Sequence, residues 1–232
     1  MSQRAFPITF LKKGTSYEHL ADRYIEFVLR SYPHATIVFD GYSQGASTKD
    51  MAHAQRRNIP GRDVHFDPLM HLSEKKEDFL SNVQNKQKFI QLVGERMEKA
   101  GISVVHAEGD AYCVIAREAL LSASEHATHV VGEDTDLLVL LLFHVKSNMK
   151  NVYFSSSKTT VTRAWDIKNT QADVGLNVCK HILFAHAFSG CDTTSRPLEL
   201  GRLPRLKTSK KGTQFSSRGR TCFSVVPVTR SS

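Results

Sequence analysis

The stretch that decides the fold is THVVGEDTD at residues 128–136, followed by LLVLLLF at residues 137–143. A continuous run of Val and Leu cannot keep one face in water, so the first part predicts a strand inside a sheet that is covered on both sides. Asp134 and Asp136 follow this strand, at the edge where open α/β sheets carry their binding sites. Two neighbouring carboxylates repel each other, which favours a bound cation between them. The alternative is a polar turn in which the aspartates cap a helix.

Length and composition indicate one globular domain. The chain has 232 residues, enough for a hydrophobic core. It shows no signal peptide, and the apolar run at 137–143 is too short to span a bilayer, so we expect an intracellular protein, nuclear or cytoplasmic, that does not bind membranes. The cysteines form no C-x-x-C pair and predict neither a zinc site nor a disulfide-linked partner. They are Cys113, Cys179, Cys191 and Cys222.

The net charge of +8 is concentrated at the C-terminal end. From residue 196 onward, nine Lys and Arg stand against one acid, and subtracting these from the totals of 31 and 23 leaves 22 basic and 22 acidic residues in the rest of the chain. Residues 196–232 also lack apolar periodicity, so they are predicted to form an irregular, disordered basic tail. Such a tail either contacts phosphate backbones without sequence preference or is simply a solvated end.

Further acids follow other predicted elements. Strands are predicted at 35–39 and 102–106, and a helix at 172–188, and each of them runs into at least one acid. These acids are Asp40, Glu108, Asp110 and Asp192. Helices that alternate with short buried strands predict an α/β fold with a mainly parallel sheet. We therefore expect the acids to converge on one crevice at the sheet edge.

An all-oxygen cluster without His or Cys suits Mg²⁺ or Mn²⁺ better than zinc. Two such ions about 4 Å apart would activate a water and stabilise the leaving oxygen of a phosphodiester. The predicted metal ligands are Asp40, Glu108, Asp110, Asp134, Asp136 and Asp192, and all except Glu108 are also predicted to be catalytic. Lys49, Arg56 and Arg57 are candidate phosphate contacts to a nucleic acid, or alternatively ordinary solvated charge.

Four segments carry a family resemblance: VFDG at 38–41, the helix start at Asp110, GEDTD at 132–136 and SGCD at 189–192. In this order they resemble the acidic motifs of the PIN-like nucleases, nearest to the flap endonuclease and 5′–3′ exonuclease branch. More closely, they are similar to mobile-element-associated animal proteins that carry this domain. The resemblance implies a Rossmann-like, three-layer fold over residues 1–195, a divalent-metal site, and a nuclease that hydrolyses DNA or RNA.

Two departures from the family pattern favour an alternative. The family begins with a strand that carries its first aspartate, but residues 4–11 hold no acid, so the domain is expected to be N-terminally incomplete. Tyr112 stands two residues after Asp110, where the family has a second acid. The alternative is therefore a catalytically impaired remnant that binds nucleic acid without cleaving it. A topoisomerase-primase-like phosphotransfer module is a third possibility, but it needs a lone glutamate at an earlier strand end, a role no residue here clearly fills.

Overall fold

The computed structural model describes residues 11–41, 62–132, 134–156, 163–189 and 224–227. Within these ranges the helices are α1 (Tyr17–Ser31), α2 (Lys76–Ser81), α3 (Val83–Lys99), α4 (Ala111–Ala123), α5 (Thr135–His144), α6 (Ile167–Val174) and α7 (Leu176–Phe188). The strands are β1 (Ala35–Phe39), β2 (Ser103–His106), β3 (Thr128–Val131), β4 (Val152–Ser156), β5 (Arg163–Asp166) and β6 (Ser224–Pro227).

The six strands form one mixed sheet in the order β2-β1-β6-β3-β4-β5. β1 is parallel to β2 and β3 is parallel to β4, whereas β6 is antiparallel to both β1 and β3. It follows that β1 to β4 all point the same way. β5 returns antiparallel beside β4 as the second strand of a hairpin. The expected mainly parallel sheet is thus a mixed one, because β5 and β6 run against the other four strands.

Two hydrophobic cores lie on opposite faces of the sheet. Neighbouring residues of a strand point to opposite faces, and in β1 Ile37 and Phe39 enter one core while Val38 enters the other. The first core is formed with α1 and α3, and the second with α4 and α5. Helices therefore cover both faces, which gives a mixed α/β architecture compatible with a Rossmann-like fold.

Helix α1 illustrates how local sequence sets the elements. The Ser16 side chain accepts a hydrogen bond from the backbone N–H of His19 at 3.3 Å, as expected of an N-cap. The apolar residues at helical spacing from Tyr17 to Val28 are buried, whereas Leu29 is 50% exposed and lies outside this apolar face. The helix ends just before Pro33, which disfavours helical geometry in the residue that precedes it.

The apolar run that follows the deciding strand forms α5, with Leu137, Leu141 and Leu142 buried. None of the helices in the described ranges is long and apolar enough to cross a membrane.

The single helix predicted at 172–188 is two helices, α6 and α7, which meet at Gly175. Gly175 has φ +94°, a left-handed conformation that ends α6 and that a side chain would disfavour.

Residues 224–227 correct one part of the tail prediction. They lie within the segment expected to be disordered, yet they form β6 in the middle of the sheet. The reason is tertiary: β1 and β3 are not paired with each other, and each offers β6 a row of backbone donors and acceptors. The rest of 196–232 lies outside the described residues.

Candidate functional site: an acidic edge at the start of helix α4

The sheet topology brings four of the predicted acids to one edge. Because β1, β2 and β3 point the same way, the residues that follow them lie at the same end of the sheet. Asp40 follows β1, Asp110 ends the connection from β2 to α4, and Asp134 and Asp136 lie between β3 and α5. We call these four residues the acidic edge.

A close backbone contact joins the end of β1 to the connection between β2 and α4. The N–H of Gly41 donates to the carbonyl of Gly109 at 2.9 Å, and a carboxylate oxygen of Asp40 accepts from the N–H of Ala111 at 3.1 Å. A Cβ placed on Gly41 would lie only 1.6 Å from the carbonyl oxygen of Ala107. Glycine is therefore required here by the approach of two backbone segments.

Two of the acids also cap helices. Asp110 is the N-cap of α4 and accepts from the N–H of Tyr112 at 3.0 Å. Asp134 is the N-cap of α5 and accepts from the N–H of Asp136 at 3.2 Å. The capping alternative drawn from the sequence is thus present in the structure, and it coexists with the gathering of the acids. Capping leaves further oxygen lone pairs on each carboxylate.

Tyr112 joins the two halves of the acidic edge. Its hydroxyl group donates a 2.6 Å hydrogen bond to Oδ2 of Asp134, while its backbone N–H is held by Asp110. The residue is 8% exposed and packs in the second core. From the sequence, Tyr112 stood out only as a departure from a family pattern. Its contact with a residue 22 positions away has no sequence signal.

His186 is a functional candidate that the sequence did not indicate. Its Nε2 lies 2.8 Å from Oδ1 of Asp136, and both side chains are about a quarter exposed. The sequence analysis included no histidine among these acids, and the structure places His186 beside Asp136. His186 lies in the last turn of α7, which packs against α5. The only available hint was that α7 runs directly into the SGCD segment.

Of the remaining predicted site residues, the structure describes only Glu108. Glu108 is exposed between β2 and α4. The other candidates lie outside the described residues, and their predicted roles stay predictions. They are Lys49, Arg56, Arg57 and Asp192.

The oxygen donors of the acidic edge match Mg²⁺ or Mn²⁺ in chemical type. Their arrangement does not complete a metal site, since no three His, Cys, Asp or Glu side chains among the described residues are grouped so that they could hold an ion. Asp134 and Asp136 instead make hydrogen bonds with Tyr112 and His186. A metal at this edge therefore needs either a rearrangement of these side chains or further ligands.

Comparison with known proteins adds no family to this description. No family model, curated protein or solved structure matches the chain. The protein is a mixed α/β domain with helices on both faces of its sheet and with acidic residues gathered at one edge of that sheet.

Proposed function

We propose that the chain is a PIN-like nuclease domain with a Rossmann-like sheet, which hydrolyses phosphodiester bonds of DNA or RNA and requires Mg²⁺ or Mn²⁺. One observation carries the proposal: acids from three separate segments lie around the first turn of α4. Asp40 accepts a hydrogen bond from the N–H of Ala111, and Asp110 accepts one from the N–H of Tyr112. The hydroxyl of Tyr112 in turn donates a hydrogen bond to Asp134. Helix capping alone does not account for this arrangement, because a capping aspartate acts only on its own helix.

The charge of the acidic edge supports the requirement for a cation. A phosphodiester is itself an anion, and carboxylates repel it in proportion to the local charge and in inverse proportion to the dielectric constant. Hydrolysis at this edge is therefore feasible only with positive charge between the acids and the phosphate. Lys49, Arg56, Arg57 and the basic residues from 196 onward are the proposed contacts to the rest of the nucleic acid.

A cleavage assay tests the proposal. Single-stranded DNA, flapped DNA and RNA are incubated with the protein in Mg²⁺, in Mn²⁺ and in EDTA. We expect cleavage with a divalent ion, none in EDTA, and a loss of at least about 100-fold in the Asp134→Ala/Asp136→Ala double variant, the scale on which catalytic groups contribute. Exposed Asp63 gives the control: Asp63→Ala retains activity. Cleavage that survives the double substitution contradicts the proposal.

A second candidate function is favoured by the partners of the acids. Asp134 and Asp136 are each bonded to a side chain of the protein itself, so the domain can be stable with no ion at this edge. In this version the protein binds nucleic acid without cleaving it. Binding would then be unchanged by EDTA and would fall steeply with salt, as expected of contacts between cationic side chains and phosphates.

The two functions are separated by one comparison in the same nucleic acid. Cleavage in Mn²⁺ supports the nuclease. Binding that is insensitive to EDTA, without cleavage under any condition, supports the second candidate. The Arg56→Ala/Arg57→Ala variant should weaken binding in either case, and unchanged binding in this variant contradicts the assignment of those two residues.

A further inference from the structure

We propose that Tyr112 is a positioning residue that weakens cation binding at the acidic edge, because its hydroxyl group competes with a divalent cation for the carboxylate of Asp134. The inference rests on the proposed function for the nature of the ligand. It goes beyond that function by giving a role to a residue that the proposed hydrolysis does not use.

The hydrogen bonds of Asp134 carry the inference. Oδ1 accepts from the N–H of Asp136 at 3.2 Å, and Oδ2 accepts from the hydroxyl of Tyr112 at 2.6 Å. The second distance is in the short range seen when the acceptor is ionised. Both carboxylate oxygens of Asp134 thus already accept hydrogen bonds from the protein. The negative charge on Oδ2 is stabilised by the hydroxyl group of Tyr112.

The position of Tyr112 makes this bond persistent. The ring is buried to 8% exposure in the second core, and the backbone N–H is fixed by Asp110. Turning the ring away from the acidic edge would remove it from the core, and burying an aromatic ring contributes substantially to stability. The hydroxyl oxygen is consequently held at the acidic edge by packing, and a cation can reach Oδ2 only if the hydroxyl proton rotates away or the carboxylate of Asp134 turns.

Removing the hydroxyl alone isolates its effect. Tyr112→Phe keeps the ring in the core and releases Oδ2 of Asp134. We expect Mn²⁺ to bind this variant about tenfold more tightly than the wild type, since a hydrogen bond to a charged acceptor is worth roughly that factor. Affinity is measured by isothermal titration calorimetry with MnCl₂ alone, and thermal unfolding with and without Mn²⁺ gives a second readout that detects weak binding to the folded state.

Two controls exclude a general effect of removing a hydroxyl. Tyr153→Phe removes a hydroxyl on β4 that accepts a hydrogen bond from Asn151, and it should leave Mn²⁺ affinity unchanged. Combining Tyr112→Phe with Asp134→Asn should abolish the gain, because the released carboxylate is then missing. A residue that only supported the fold would weaken ion binding when altered, not strengthen it.

The outcomes separate this inference from the proposed function. Mn²⁺ affinity in Tyr112→Phe that equals or falls below that of the wild type overturns the inference, while cleavage by the wild type would leave the proposed function standing. Tighter binding in Tyr112→Phe without cleavage by any form supports the inference and contradicts the nuclease. No binding or thermal shift in either protein contradicts both.

Discussion

Gly41 links the end of β1 to the segment that starts α4. A Cβ at this position would overlap the carbonyl oxygen of Ala107, so Gly41→Ala must displace backbone. We predict a loss of about 1–3 kcal/mol in the free energy of unfolding, the range for overpacked sites, measured by urea denaturation. Gly109→Ala is the matched control, because a Cβ there meets no atom within 4 Å. Equal effects of the two substitutions would contradict the close approach.

His129 gives the protein a defined response to acid. Burial lowers the pKa of His129 below its ordinary value of 6.5, and the ring stacks on Tyr153 with centroids 4.7 Å apart. The unfolded chain therefore binds this proton more readily than the folded one. Stability contributed by the neutral ring is complete above about pH 6.5 and is lost as the pH falls through the folded-state pKa.

The prediction for His129 concerns the slope of stability against pH. His129→Phe retains an aromatic partner for Tyr153 but cannot be protonated, so the decline in unfolding free energy below about pH 6.5 becomes shallower. Urea denaturation at a series of pH values measures the slope. The same substitution at the exposed His19 should leave the slope as in the wild type. An unchanged slope in His129→Phe would show that this ring does not contribute.

Residue types indicated which side chains belong to the acidic edge, but not their partners. Asp40, Asp110 and the pair at 134 and 136 were expected to meet because strands that point the same way end at one edge. The Tyr112 and His186 contacts depend on distances across the fold, and neither residue carries a local pattern that specifies them. Helix capping was the alternative interpretation of the aspartates at 134 and 136, because aspartate before an apolar run is a helix-start signal, and it did not extend to Asp110.

At the scale of elements, β6 joins the two halves of the sheet. β1 and β2 form one half and β3 to β5 the other, and among the described strands only β6 pairs with both. The acidic edge takes Asp40 and Asp110 from the first half and Asp134 from the second. The C-terminal strand therefore sets the distance between the two groups of acids.

A proline at Val225 tests this role. Val225 is in register with Ile37 of β1 and Val131 of β3, and proline removes a backbone donor from a central strand. We predict that Val225→Pro lowers the free energy of unfolding by at least about 1–3 kcal/mol, and that amides of β1 and β3 exchange faster with deuterium. Val225→Thr keeps the N–H and should have a small effect. Unchanged protection in the proline variant would contradict the pairing.

Asn85 ties helix α3 to the segment that precedes α2. This side chain is fully buried, donates to the carbonyl of Arg62 and accepts from the N–H of Val64, both at 2.8 Å. Asn85→Leu leaves two backbone groups without these partners, and we predict a loss of about 1–3 kcal/mol in unfolding free energy. Gln91→Leu, at an exposed position of the same helix, should change stability by less than about 0.5 kcal/mol. Chemical denaturation of both variants measures the difference.

Elements with a strong apolar pattern could be predicted and the C-terminal strand could not. The bounds of β1 follow from the run at 35–39, and those of α1 from its apolar spacing between Ser16 and Pro33. β6 lies within the short run CFSVVPV at residues 222–228, and the proline in this run argues against a central strand. Its formation depends on the space between β1 and β3, which is a property of the folded sheet.

At the scale of the whole molecule, charge is divided between a neutral body and a basic end. The acidic edge belongs to the body, whereas the excess of positive charge lies from residue 196 onward. The proposed nucleic-acid contacts from residue 196 onward thus belong to a different segment of the chain from the proposed catalytic acids. Net charge alone therefore left two interpretations of the basic segment open, contact with phosphates or a solvated end.

The most direct measurement is paramagnetic line broadening by Mn²⁺ in the nuclear magnetic resonance spectrum of the full chain. The account predicts that amide signals at 40–41, 110–112 and 134–136 broaden together, more strongly in Tyr112→Phe, while those around Asn85 stay sharp. Broadening confined to one of the three segments, or none at Mn²⁺ concentrations that support cleavage, would contradict a shared acidic edge.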